Sequence, residues 1–178
     1  MATIVLTATT PIDDNRRDRL ARLFDSQHRR LYRLALRLAH DEEEARDLVQ
    51  EAFLRAARDV SRIPAADEQA GPWLVRIVVN LARDRHRRRV VRDTFRRLFV
   101  REQHDPTHAI DTKAAVKKAM NALPPRQRAI VALYELEGHG TSEIAKMLNV
   151  AEVTVRWHLS AARKRLAILL APVTETTK

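Results

Sequence analysis

The sequence predicts an all-α protein of two small helical domains joined by a linker, the C-terminal one a helix-turn-helix. Three observations predict it. Only three glycines occur in 178 residues. No stretch alternates apolar and polar residues as a half-buried strand would. Alanine, leucine, arginine and glutamate, which favour helices, dominate the chain.

Residues 1 to 15 are expected to form a flexible N-terminal tail. Leu20, Leu23, Phe24, Leu31, Leu34 and Leu38 then recur at spacings of three, four and seven, which predicts an amphipathic helix over about 16 to 39. A second helix is expected from Asp41. Its side chain can cap the helix with Glu44 three residues on, and Ala45, Leu48, Val49, Ala52, Phe53 and Ala56 form its inward stripe. Asp47, Gln50 and Leu54 fall on the opposite face.

The stretch "SRIPAADEQAGP" (61 to 72) carries two prolines and a glycine, so it reads as a loop, with Pro72 in the first turn of the next helix. In "WLVRIVVNLARDRHRRR", Leu74, Ile77, Val78 and Leu81 are expected inside. Trp73, Arg76, Asn80, Asp84 and Arg87 share another stripe. The first domain is thus expected to span 16–89.

The pattern loosens over 90–110, the expected linker, where Phe95, Leu98 and Phe99 could extend or add a helix. Further helices are expected at about 111 to 122 and 126 to 136. Thr141 is expected to cap a short helix before the turn "NVA", and a long helix on Val155, Leu159, Ala162, Leu166 and Leu169 runs to about 170. The second domain is placed at 111–172, followed by a C-terminal tail at 173–178.

Function is constrained first by charge. A formal net charge of +10 implies attraction to polyanions, and arginine, which carries most of it, grips phosphate and guanine edges bidentately. Without cysteine there is no disulfide framework and no thiolate metal site. No run approaches the ~20 apolar residues of a membrane span, so membrane insertion is not expected and a cytoplasmic location is the default. His104 and His108 have i, i+4 spacing beside Asp105 and Asp111, but Pro106 breaks the helix that would align them, so no metal site is expected. No nucleophile-and-base set or glycine-rich phosphate loop occurs. Neither catalysis nor a cofactor is therefore expected.

Two constellations point to nucleic acid. In "TSEIAKMLNVAEVTVRWHLSAARKRL" two helices meet at a short turn, and Trp157, Ser160, Ala161 and Lys164 lie opposite the core stripe, with Arg156 and Arg163 on the flank. Such a face suits a major groove, although the motif can also serve only for packing. From Arg83 to Arg101 there are nine arginines against two aspartates, enough for several phosphate contacts. Trp73 on the same helix could stack on unpaired bases or equally sit in the core.

Taken in order, "DLVQE" (47–51), "WLVRIVVNLARDRHRRR" (73–89), "LPPRQRAIVALYELEG" (123–138) and "EIAKMLNVAEVTVRWHLSAARKRL" (143–166) resemble the bacterial sigma factors of the extracytoplasmic-function (ECF) group. These belong to the sigma-70 family and retain conserved regions 2 and 4. The resemblance covers about 20 to 170. It implies that Asp47, Gln50, Glu51 and Leu54 contact core RNA polymerase. It further implies that the 61–71 loop, Asn80 and Trp73 handle the opened minus-ten element, with Arg76, Arg83, Arg85, Arg87 and Arg88 on its backbone. Thr154, Arg156, Trp157, Ser160, Ala161, Arg163 and Lys164 would read the minus-thirty-five element, and promoter DNA and an anti-sigma factor join the polymerase as expected partners. The chain departs from the family pattern at Ala151, Val153, Trp157 and His158 and in "GHG" at 138 to 140. Two rival readings are a sigma-like decoy that only binds an anti-sigma protein, and a polymerase-independent helix-turn-helix regulator.

Overall fold

The computed structural model describes residues 11–99 and 112–171, with side chains at 17–92 and 114–171. Among them every regular element is helical: α1 Pro11–Leu38, α2 Glu42–Arg58, a 3₁₀ turn Val60–Arg62, α3 Asp67–Phe99, α4 Thr112–Asn121, α5 Pro125–Val131, α6 Thr141–Leu148 and α7 Glu152–Leu170. A π-helical turn, Ala132–Leu136, continues α5. Two sets of helices, α1 to α3 and α4 to α7, correspond to the expected two domains. The expected His104 and His108 pair, the C-terminal tail and the end of the basic run lie outside the described residues.

Three local expectations are corrected and one is met. α1 begins at Pro11 rather than near 16, because proline suits a first helical turn. α3 begins at Asp67, so Pro72 lies inside the helix and not in its first turn. Packing overrides propensity at this point. A Cβ at Gly71 would come within 2.9 Å of Gln27 Oε1, so glycine there leaves room for the Gln27 amide of α1. α3 also continues through the first ten residues of the expected linker, to Phe99, the extension that the sequence allowed there. Its run of arginines has good intrinsic helix propensity. Lastly, Gly140 and not Thr141 is the N-cap of α6; Thr141 Oγ1 instead donates to Glu152 Oε1 at 2.8 Å, tying α6 to the start of α7.

Asp41 does cap α2. It accepts from the Glu44 N–H at 2.7 Å, while Glu44 Oε2 accepts from the N–H of His40, just before the cap, at 2.9 Å. Ala45, Leu48, Val49, Ala52, Phe53 and Ala56 are all buried as the stripe required.

The apolar core is continuous from one helix set to the other. Arg128 of α5 is nearly fully buried between them. Its guanidinium donates to the carbonyls of Leu38 at 2.8 Å and of Asn121 and Leu123 at 3.1 Å, and to Asn121 Oδ1 at 3.1 Å. Leu38 ends α1, where carbonyls lack helical partners and the dipole is negative, so a cation is favoured twice over. Nearby, Arg30 of α1 donates to Glu137 Oε2 at 2.8 Å and lies 2.8 Å from His139 Nε2, which gives the "GHG" loop a place at the seam.

Candidate nucleic-acid interfaces

The exposed face of α2 carries Asp47, Gln50 and Leu54, with Glu51 half-buried beside them. Glu51 pairs with Arg55 at 3.0 Å along the helix. Asp47 faces Arg85 of α3 at 3.6 Å. Sequence reasoning missed a neighbouring feature. Gln50 and Leu54 border an apolar groove of about 910 Å³ between α1 and α2, whose other walls include Leu20, Phe24 and Phe53. Phe24 supplied a hint, since it stands at the edge of the α1 stripe and remains 43% exposed.

On α3, the 100° step per residue puts Trp73, Arg76, Asn80, Arg83 and Arg87 within one stripe, with Arg88 at its border. Arg85 turns away: it donates to the Glu44 carbonyl at 3.3 Å as well as pairing with Asp47. Arg89 turns the same way and holds both oxygens of the Glu44 carboxylate at 2.9 Å. Arg85, expected on the nucleic-acid side, is thus engaged with α2.

Trp73 and Arg76 are half-buried. They share a cleft of about 680 Å³ with Pro64 and Glu68 on their own side and with Glu143, Lys146 and Met147 of α6 on the other. The 61–65 stretch beside them is pinned by Arg19, which donates to the carbonyls of Pro64 and Ala65.

The helix-turn-helix is built as the spacing required. Asn149 ends α6 in the left-handed region at φ 53°, and its N–H reaches back to the carbonyls of Ala145 and Lys146. α7 starts at Glu152 without a side-chain cap, since Ala151 has none to offer. Val155, Leu159 and Ala162 are buried, which turns Trp157, Ser160 and Lys164 outward. Trp157 is 63% exposed. Thr154 and Ala161 sit half-buried on one flank. On the other flank Arg156 lies 3.8 Å from Glu152. Arg163 binds Glu135 at 2.7 Å and covers the Tyr134 ring at 5.2 Å, so it braces the π turn.

Residues 23–92 match the family described as sigma-70 region 2, and residues 113–166 match sigma-70, region 4. The ECF RNA polymerase sigma factor SigM of Mycobacterium tuberculosis is 39% identical over 148 residues, covering 83% of this chain and 75% of SigM. SigL of the same organism is 32% identical over 154 residues, covering 83% and 86%. Among solved structures, the sigma factor RpoE in complex with the anti-sigma factor NepR, from Bartonella quintana, aligns with a TM-score of 0.59 at 25% identity. That alignment covers 86% of this chain and 95% of RpoE.

Proposed function

Because the chain belongs to the ECF group of RNA polymerase sigma factors in the sigma-70 family, we propose that its three faces divide the work of promoter-specific initiation. The protein binds core polymerase, directs it to promoters through minus-ten and minus-thirty-five elements, and assists melting. Residues 16–89 form the polymerase-binding and melting unit, and 111–172 the upstream-element unit. The α2 face of Asp47, Gln50, Glu51 and Leu54 docks on the polymerase. A mixed polar surface beside an apolar groove suits an interface that must also release.

On α3, Asn80 and the loop before the helix receive an extruded base. Trp73 stacks, and Arg76, Arg83, Arg87 and Arg88 hold the backbone. Extrusion costs a few kcal/mol, which stacking and phosphate contacts offset. Arg85 contributes indirectly, by holding the α2 face through Asp47. On α7, Arg156, Trp157, Ser160 and Lys164 enter the major groove, with Thr154 and Ala161 at its edge. Arg163 supports the helix rather than a phosphate. The chain supplies no catalytic group of its own, and an anti-sigma protein is its proposed regulator, as the RpoE complex suggests by analogy.

The observation that carries this reading is the uncovered α7 face opposite buried Val155, Leu159 and Ala162. Transcription from a randomised promoter pool, with bacterial core polymerase and with or without the chain, tests it. Transcripts that require the chain are expected. Asp47→Ala combined with Gln50→Ala should lower them at least about tenfold, the factor for about 1.4 kcal/mol of interface energy. A folded chain that yields no polymerase-dependent transcript would sink the reading and favour the decoy.

A further inference from the structure

Val153 and Trp157 stand one turn apart on α7, at the end of the helix that a helix-turn-helix inserts most deeply. Val153 is 67% exposed and Trp157 63%. Two large apolar side chains in water, on a helix whose opposite face is fully used, call for an apolar partner. The surroundings identify it. Arg156 and Lys164 flank the pair in a chain of net charge +10, so the partner is a polyanion that also presents apolar groups. The thymine C5-methyl is the apolar group that a base edge offers in the major groove.

We propose that Val153 and Trp157 form an apolar reading stripe that selects thymine methyls, and hence A·T pairs, in the upstream promoter element. The proposal rests on the sigma-factor reading of α7 and adds the residues and the chemical group that set its specificity. Arg156 supplies the complementary polar contact. His158 is a positioning residue: its ring meets the Trp157 indole edge-on at 4.9 Å and 71°. Burial, and then the nearby Arg126, hold the His158 pKa below its ordinary value, so the ring serves as a neutral wall.

The test uses holoenzyme assembled from core polymerase and the full chain, on a promoter selected from the randomised pool. Each thymine of the upstream element is replaced in turn by deoxyuridine, which removes the methyl and leaves the hydrogen-bonding edge intact. At contacted positions initiation at limiting holoenzyme should fall about fourfold, the factor that one buried methyl supplies. In Trp157→Ala that sensitivity should vanish. In Val153→Ala a different position should lose it, roughly two base pairs away, because four residues of helix rise about 6 Å. Thermal melting of the variants confirms folding, which such exposed side chains should leave unchanged.

Transcription that proceeds normally with deoxyuridine at every thymine overturns the proposal and leaves the sigma-factor reading standing. Weakened polymerase assembly in Trp157→Ala, with methyl sensitivity unchanged in the transcripts that remain, also overturns it and makes the patch a protein-docking surface. Absence of any polymerase-dependent transcript removes the reading on which it rests.

Discussion

The two tryptophans of the chain stand on its two candidate DNA faces and differ in what already lies against them. Trp157 on α7 projects into solvent. Trp73 on α3 is half-buried and looks across a cleft at Glu143, Lys146 and Met147 of α6. A cleft of that size can admit a base or two but not a double helix. In this arrangement the proposed duplex-reading helix is open, whereas the proposed strand-opening face is screened by α6. If the two faces act as proposed, their contacts need not be available together: the upstream element can be met first, and full use of Trp73 requires α6 to move.

Arg128 is a buried cation that bonds across the seam to Leu38, so the largest expected effect is there. Arg128→Met removes the donor to three backbone carbonyls and to Asn121 Oδ1. Leaving such buried acceptors unpaired should lower stability by about 3 kcal/mol, read as a shift in urea midpoint. With Trp157 replaced by phenylalanine, Trp73 is the single indole, and its acrylamide quenching should rise in Arg128→Met. Unchanged quenching would break the comparison, since the screening of Trp73 would then owe nothing to this buried contact.

Most of the architecture was legible in the sequence because amphipathic period and turn residues act locally. The α2 stripe and its Asp41 cap, the Asn149 turn and the α7 core line from Val155 to Ala162 followed from spacing alone, whereas Leu169, expected on that line, is 46% exposed because the end of α7 projects beyond the core. Arg128 did not stand out among 33 basic residues. Its register gave the clue, since it shares a helical stripe with Pro125, Ala129 and Ala132, all buried. Arg85 and Arg163 were assigned to DNA through the family resemblance, yet their partners Asp47 and Glu135 lie 38 and 28 residues away in sequence, beyond any local pattern. The start of α3 was misplaced for the same reason: Gly71 and Pro72 read as breakers until α1 is packed against them. By contrast, the missing cap at Ala151 was visible, and it sharpens the comparison of the two units. Ala151 already has extended backbone at φ −68° and ψ 145°, so Ala151→Ser should stabilise α7 by about 1 kcal/mol, measured by denaturation. No gain would mean that the Thr141 bond to Glu152 already fixes the start of the helix.

The smallest expected effect separates the two faces by pH. Burial, then Arg128, lowers the pKa of His86 on α3, with Glu44 opposing, while burial, then Arg126, lowers that of His158 on α7. A histidine whose folded pKa lies below its unfolded value near 6.5 takes up its proton first in the unfolded chain. The unfolded state then binds more protons, so stability is intact above about pH 6.5 and is lost as pH falls through the lowered folded values. His86 lies near Arg128 and Glu44 at the seam, so acidification should loosen the Trp73 side, and His86→Gln should flatten that response in Trp73 quenching between pH 7 and 5. His158 touches Trp157 instead, so His158→Gln should flatten only the acid response of Trp157, followed with Trp73 replaced by phenylalanine. If His158→Gln altered the Trp73 response as strongly as His86→Gln does, the two faces would be coupled through α7, and the contrast between a screened and an open face would describe one cooperative body rather than two.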